Sequence, residues 1–297
     1  MIVLAVLYWF LFIAGAIGVV GAMGACAALC RRFMTAASAP VAVDGAPTSL
    51  SLIVPIKGAD AHTEAHLNAL VTSVISGEVE YLFAMESDGD PAYPICQRVR
   101  KRHANKAIRL IVTGPAAGRM GKQHNLAVAV REARYAAIGS MDADVLVAPE
   151  TLEAGLRALG DPRTGVAYFL PCYAGGGPAG GTLVALYSNY GFAANAGALA
   201  LRGNPAFIVG SLWLMTRATL ERIGGLEQFG ATVSDDAAIG AAISKQGLRN
   251  VLLPRTVRIP FEPLDLRGGV RHVLKWLAML RAEGLVAYLT ILLTWHP

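Results

Sequence analysis

Charge is what this chain has least of. Asp, Glu, Lys and Arg make up 16% of its 297 residues, hydrophobic residues make up 54%, and the mean hydropathy is +0.47. Soluble domains usually carry about 25% charged residues, so a fully solvated globule is the wrong class and a membrane element is to be sought. Residues 1–30, MIVLAVLYWFLFIAGAIGVVGAMGACAALC, hold no charged side chain. At about 1.5 Å per residue, a helix of that length exceeds the roughly 30 Å hydrocarbon layer. The run lacks the basic start of a cleaved signal peptide and is too long for one, so it reads as a transmembrane helix. Arg31 and Arg32 follow at once and, by the positive-inside tendency, assign the remainder to the cytoplasm.

Cysteine is nearly as sparse. Cys26, Cys30, Cys96 and Cys172 form no CxxC pair, which excludes a zinc ribbon or a disulfide framework. The net charge of +5 comes mainly from two basic runs, RVRKRHANK (98–106) and RGGVRHVLKWLAMLR (267–281). Neither has the interleaved aromatics of a base-stacking surface, so no nucleic-acid partner is expected. The first reads as a solvated helix face. The second lies in an amphipathic interfacial helix over 261–283. From Gly284 the chain turns apolar again, and 284–297 is too short for a span. It reads as the start of a membrane segment that a longer parent would complete, with an interfacial segment as the alternative.

Between these ends, MTAASAPVAVDGAPT (34–48) is small, Pro-containing and aperiodic, which makes 31–48 a linker. Strand-like and helix-like stretches then alternate: 49–57, 79–87, 108–114 and 136–142 as strands, with helices between them. The helix after the first strand has Leu67, Leu70 and Val74 at helical spacing, and KQHNLAVAVREARY (122–135) forms another. Alternation of this kind predicts an α/β fold with a mostly parallel sheet covered by helices, over a domain spanning 49–260. There is no internal repeat and no low-complexity tract. Residues 180–201 are uncharged and long enough to span, but Ser188, Asn189, Asn195 and several glycines interrupt them. They read as a buried or membrane-facing helix over the active site.

Ligands of such sheets bind at the carboxyl ends of strands, and the polar clusters fall there: Lys57, then Glu86, Asp88 and Asp90, then Asp142 and Asp144. A pair of aspartates at a strand end often serves only as a turn. It also suits a hard divalent cation that keeps positions for diphosphate oxygens. Ser234-Asp235-Asp236 opens another helix, where an N-cap is the plain reading. Lys122, in GRMGKQHNL, is a surface lysine unless a diphosphate lies beside it.

The order of these pieces is more specific than any one of them. LIVPIKG, FAMESDGDPA, GKQHNL, SMDADV, GSLWLMTRATLERIGGL, SDDAAIGAAISKQG and RHVLKW, from about Ser51 to Arg281, resemble the family 2 nucleotide-sugar glycosyltransferases. Within that group they are similar to the ceramide glucosyltransferase-like branch, which includes bacterial lipid and hopanoid glycosyltransferases. The resemblance implies a Rossmann-like, GT-A type domain and a nucleotide-contacting acid among Glu86, Asp88 and Asp90. It implies a second aspartate at Asp142, with Asp144 completing a D-x-D for Mg2+ or Mn2+, and a catalytic base at Asp236, beside Asp235. RHVLKW stands where the family has (Q/R)-x-x-R-W: His272 replaces the first residue, Lys275 the arginine, and Trp276 is retained. Lysine keeps the charge and gives up the bidentate fork.

The function implied is inverting transfer of a hexose from a UDP-sugar to a ceramide-like or hopanoid hydroxyl. The donor would meet Lys57, Lys122, Asp142 and the first acidic site, and the acceptor and diphosphate would meet Asp235, His272, Lys275 and Trp276. The enzyme would sit on a membrane, the inner membrane if bacterial, with its catalytic domain cytoplasmic. A processive polysaccharide synthase and a degenerate nucleotide-sugar-binding scaffold are the rival readings.

Overall fold

The computed structural model describes residues 2–36, 45–73, 75–174, 177–201, 203–232, 234–260, 263–285 and 288–289. Val74, residues 37–44 of the expected linker and residues 290–297 lie outside that set. In chain order the helices and strands are α1 (Ile2–Ala36), β1 (Ser49–Pro55), α2 (Thr63–Thr72), β2 (Glu78–Met85), α3 (Ala92–Arg102), β3 (Ala107–Val112), α4 (Gly121–Glu132) and β4 (Ala137–Met141). There follow α5 (Pro149–Ala158), β5 (Thr164–Ala174), α6 (Ala179–Leu186), α7 (Ala193–Leu201), β6 (Leu212–Thr216), α8 (Arg217–Arg222), α9 (Asp235–Lys245), β7 (Arg249–Pro260) and α10 (Leu266–Glu283). The chain forms two compact units, one from 39–170 with 204–260, the other from 1–38, 171–203 and 261–297.

The first unit carries the sheet, whose strand order among the described residues is β3-β2-β1-β4-β6-β5-β7. β3, β2, β1 and β4 run parallel, as the alternating pattern predicts. β6 inserts antiparallel between β4 and β5. Leu50, Leu52, Ile53, Val54, Leu82, Phe83 and Ile138 are fully buried, which is why these strands read as continuous apolar runs rather than alternating ones. The register pairs Pro55 with Ala84 and Ile53 with Ser140, so β1, β2 and β4 end along one edge. Because β6 runs the other way, its beginning lies at that same edge, opposite Met141.

Several boundaries differ from the sequence pattern: β1, β2 and β3 end two residues early, α10 begins at Leu266 rather than 261, and α4 is cut short. α4 stops at Glu132 instead of running to Tyr135. Glu80, 1% exposed, accepts the Arg134 N–H at 2.6 Å and the Ser51 hydroxyl at 2.6 Å, while Ser51 Oγ also accepts the Tyr135 N–H at 3.0 Å. Those two amides satisfy a buried carboxylate and hydroxyl rather than extending a helix. The basic run on α3 is a solvated face: Arg98 and Arg102 both pair with Glu64 of α2 from exposed positions.

In the second unit, α1 is the one helix among the described residues long and apolar enough to cross a membrane, with Val3–Gly21 unburied. α7 lies against α1 and α6 against α10. The α6–α10 crossing is close because both sides are glycine: a Cβ on Gly269 would fall 2.4 Å from the Gly180 carbonyl oxygen. Residues 180–201 form a continuous helical run that is not α-helical throughout. α6 passes through a π-helical segment, Tyr187–Phe192, into α7. Within that segment the Asn189 amide clamps the end of β5, accepting from Tyr173 N–H and donating to Tyr173 C=O, each at 2.9 Å. Such π segments often mark functional positions.

Candidate active site

α4 begins at Gly121, so Lys122 stands in its first turn and reaches toward the end of β4. Lys122 Nζ lies 2.6 Å from Asp142 Oδ1, and both side chains keep 34% of their surface open. Asp142 is tied in turn to the residue before β6: its N–H donates to the Ser211 carbonyl at 3.1 Å. α9 brings the other acids. Ser234 caps it, its hydroxyl accepting from Ala237 N–H, as the plain reading of Ser-Asp-Asp expects. That leaves Asp235, which is buried, and Asp236 in the first turn.

These four side chains share one electrostatic field. Burial pulls the Lys122 ammonium down, but Asp142, Asp236 and Asp235 more than reverse this, and its pKa is raised. For Asp236, burial comes first and the charge of Asp235 second; with Asp142 they outweigh Lys122 and the Gly210 N–H, so its carboxyl is held well above the ordinary carboxylate range. A helix N-terminus by itself favours the ionised acid. Here desolvation and like charge win.

The structure places the remaining expected residues as follows. Lys57, Glu86 and Asp88 are exposed on the loops that leave β1 and β2 at the same sheet edge. Asp90 is half-buried and occupied by backbone: it accepts from Gly58 N–H at 3.0 and 3.1 Å and from Ala92 N–H at 2.8 Å, tying the loop after β1 to the start of α3. Asp144 is exposed, two residues past Asp142. No cluster of three metal-ligating side chains occurs among the described residues. The two hard carboxylates, Asp142 and Asp144, are of the type that suits a divalent cation filling its shell from diphosphate oxygens and water, once Lys122 gives up Asp142.

His272, Lys275 and Trp276 lie on α10 in the second unit. Trp276 sits in an aromatic nest, with His272 at 4.4 Å, Tyr187 stacked at 5.6 Å and Tyr173 edge-on at 6.5 Å between ring centroids. Tyr173 and Tyr187 were not singled out by sequence, and Asn189 read only as a polar interruption of an apolar run. Gly210 was given no role by sequence, although it opens GSLWLMTRATLERIGGL, one of the stretches that carry the resemblance.

The comparisons bear on family and fold. The sequence profile of glycosyl transferase family 21 matches residues 10–294. Ceramide glucosyltransferase 1 of Caenorhabditis elegans is 25% identical over 205 residues, which cover 67% of this chain and 43% of that protein. The chain therefore spans less than half the length of that relative. The mannosyltransferase PcManGT from Pyrobaculum calidifontis, solved in complex with GDP-Man and Mn2+, superposes with a TM-score of 0.59 at 20% identity, over 96% of this chain and 77% of that one. GalNAc-T7, solved with UDP, GalNAc and Mn2+, gives a TM-score of 0.52 at 12% identity, over 74% and 44%. At such identities these two establish the GT-A fold alone. The profile covers nearly the whole sequence, and the chain belongs to glycosyl transferase family 21.

Proposed function

We propose that this chain transfers a hexose from a UDP-sugar to the hydroxyl of a membrane lipid, with inversion at the sugar carbon. The observation that carries this reading is the convergence of Lys122, Asp142, Asp235 and Asp236, from three separate elements, into one field at the carboxyl edge of a GT-A sheet.

Sugar transfer needs a stabilised leaving group and an activated acceptor. Lys122 supplies a positive charge that remains protonated at any working pH, suited to a diphosphate. Asp142 and Asp144 would hold a divalent cation, which when bound neutralises charge building on the leaving diphosphate. Asp236 takes the acceptor's hydroxyl proton as the oxygen attacks the sugar carbon. The bond from that carbon to the diphosphate breaks, and its electron pair leaves with the UDP. A carboxyl whose pKa is raised is a stronger base than an ordinary one, and general-base help is typically worth ~10²–10⁴-fold. Glu86 or Asp88 is the better candidate for the first acidic site, since the Asp90 carboxylate is taken up by backbone amides. Asp235, His272, Lys275 and Trp276 are assigned to acceptor and diphosphate.

The lipid acceptor follows from surface chemistry. α10 leaves Leu266, Val270 and Leu274 exposed at 58, 41 and 59%, one helical stripe beside exposed Arg267, Arg271 and Lys275. An apolar stripe flanked by cations suits the plane of a bilayer interface, and α1 suits a span. The named relative, a ceramide glucosyltransferase, supports the same acceptor class.

The test is turnover by the purified full chain with UDP-glucose or UDP-N-acetylglucosamine. Ceramide or a hopanoid polyol is supplied in vesicles, with and without Mn2+ or Mg2+, and the product mass is read. A lipid heavier by one sugar residue is expected, with metal required. UDP binding without any turnover would replace the enzyme with a nucleotide-binding scaffold.

A further inference from the structure

Between α7 and β6 the chain reaches the site as bare backbone. Gly210 lies so close to Asp236 that a Cβ built on it would fall 2.4 Å from both carboxylate oxygens. The backbone amide of Gly210 also acts on that carboxylate, favouring its ionised form. The next residue, Ser211, gives its carbonyl to Asp142 N–H at 3.1 Å. Two consecutive residues therefore touch two acidic residues that α9 and β4 deliver separately.

The segment is braced and does not merely lean on the site. Ile208 N–H donates to the Asp236 carbonyl at 3.4 Å. A Cβ on Gly240 of α9 would fall 2.4 Å from Phe207 Cα, so helix and segment are in backbone contact. Asn250 of β7, 4% exposed, donates to the carbonyls of Pro205 at 2.6 Å and Gly240 at 2.8 Å, and its own N–H donates to Asn204 Oδ1 at 2.7 Å. Nor does backbone conformation call for glycine at this position, since Gly210 is not among the positive-φ residues. Space is the one requirement these contacts impose there.

We infer that Gly210 is a positioning residue for transfer: its missing side chain sets where the Asp236 carboxylate stands, and with Ser211 it sets that carboxylate against Asp142. This rests on the role assigned to Asp236 above. Any side chain at 210 must displace the carboxylate, because the alternative is to move a segment held by Asn250 and Gly240. Misplacing a reacting group by about 1 Å typically costs ~10²-fold in rate.

The experiment compares the full chain, Gly210→Ala, Asp236→Ala and the double variant in detergent micelles. It measures the thermal midpoint, UDP affinity with Mn2+, and turnover on a lipid acceptor. Gly210→Ala is expected to lose roughly 10²-fold in kcat, with UDP affinity and the donor KM nearly unchanged, and to lower the midpoint. In the Asp236→Ala background the added methyl occupies the vacated space, so the double variant melts with Asp236→Ala. If Gly210→Ala does not fold but the double variant does, the inference stands on that rescue. Equal midpoint losses in both backgrounds would overturn it, as would full turnover by Gly210→Ala. If instead Asp236→Ala turns over like the wild type, the base assignment fails first and takes this inference with it.

Discussion

Lys122 Nζ and Asp142 Oδ1 are 2.6 Å apart, and that ammonium is the cation which Asp142, Asp235 and Asp236 all act on. One positive charge faces three carboxyl groups in a partly solvated place. The excess is relieved in the structure by raising the Asp236 pKa. A divalent cation bound beside Asp142 would relieve it further, leaving Lys122 to turn from Asp142 to an incoming phosphate.

Lys122→Met removes that counter-charge. A hydrogen bond to a charged group contributes about 1.5–3 kcal/mol, so UDP affinity measured by calorimetry should fall roughly 10- to 100-fold. The thermal midpoint should drop more at pH 8, where the Asp236 carboxyl with its raised pKa is ionised, than at pH 5. An affinity within a factor of two of wild type would remove Lys122 from the donor site.

Asp236→Asn should abolish transfer while UDP binding persists; loss of UDP binding would move Asp236 to the donor side. The same variant tests the proton equilibrium. Because the folded pKa of Asp236 lies above its unfolded value, its contribution to stability is complete below the unfolded pKa and is lost as pH rises through the folded one. With EDTA present, the asparagine variant should melt several degrees above wild type at pH 8, and the gap should close toward pH 4. A gap that does not change with pH would show that the carboxyl is not perturbed.

Gly269→Val places a branched side chain against the Gly180 carbonyl, backbone that cannot rotate away. Overpacking typically costs about 1–3 kcal/mol. The midpoint of the detergent-solubilised chain should fall by several degrees, and Gly180→Val should do the same. Unchanged midpoints would mean that α6 and α10 do not cross closely.

Asn189→Ala strips both hydrogen bonds from the Tyr173 backbone, and an unsatisfied buried polar group costs about 1–3 kcal/mol. Since Tyr173 and Tyr187 pack on Trp276, its emission should shift red and its anisotropy should fall. Comparison in a Trp276→Phe background isolates that tryptophan. A purely local role for Asn189 would lower the midpoint and leave the emission unmoved.

Much of the fold was legible because burial on both faces leaves a plain mark. The runs around Leu52, Phe83 and Ile138 are apolar without alternation, and the helices between them carry periodic apolar faces. Local boundaries were less legible where tertiary partners compete for backbone amides, as Glu80 and Ser51 do at the end of α4. The π-helical turn at Tyr187–Phe192 was illegible for a similar reason, because Asn189 finds its partner in Tyr173 on a distant strand. Antiparallel β6 was not distinguishable by pattern, since a buried strand reads the same in either direction.

The sequence alone determined the types of group available: an uncharged apolar run long enough to span a membrane, carboxylates at strand ends, a lysine at a helix start, and a motif order specific enough to indicate the family. Which of those groups meet was decided by tertiary structure. Asp142 and Asp236, far apart in the chain, come under one ammonium because β6 reverses direction and delivers Gly210 and Ser211 to the edge where β4 ends. Electrostatic coupling depends on distance through space, which side-chain chemistry along a sequence does not encode.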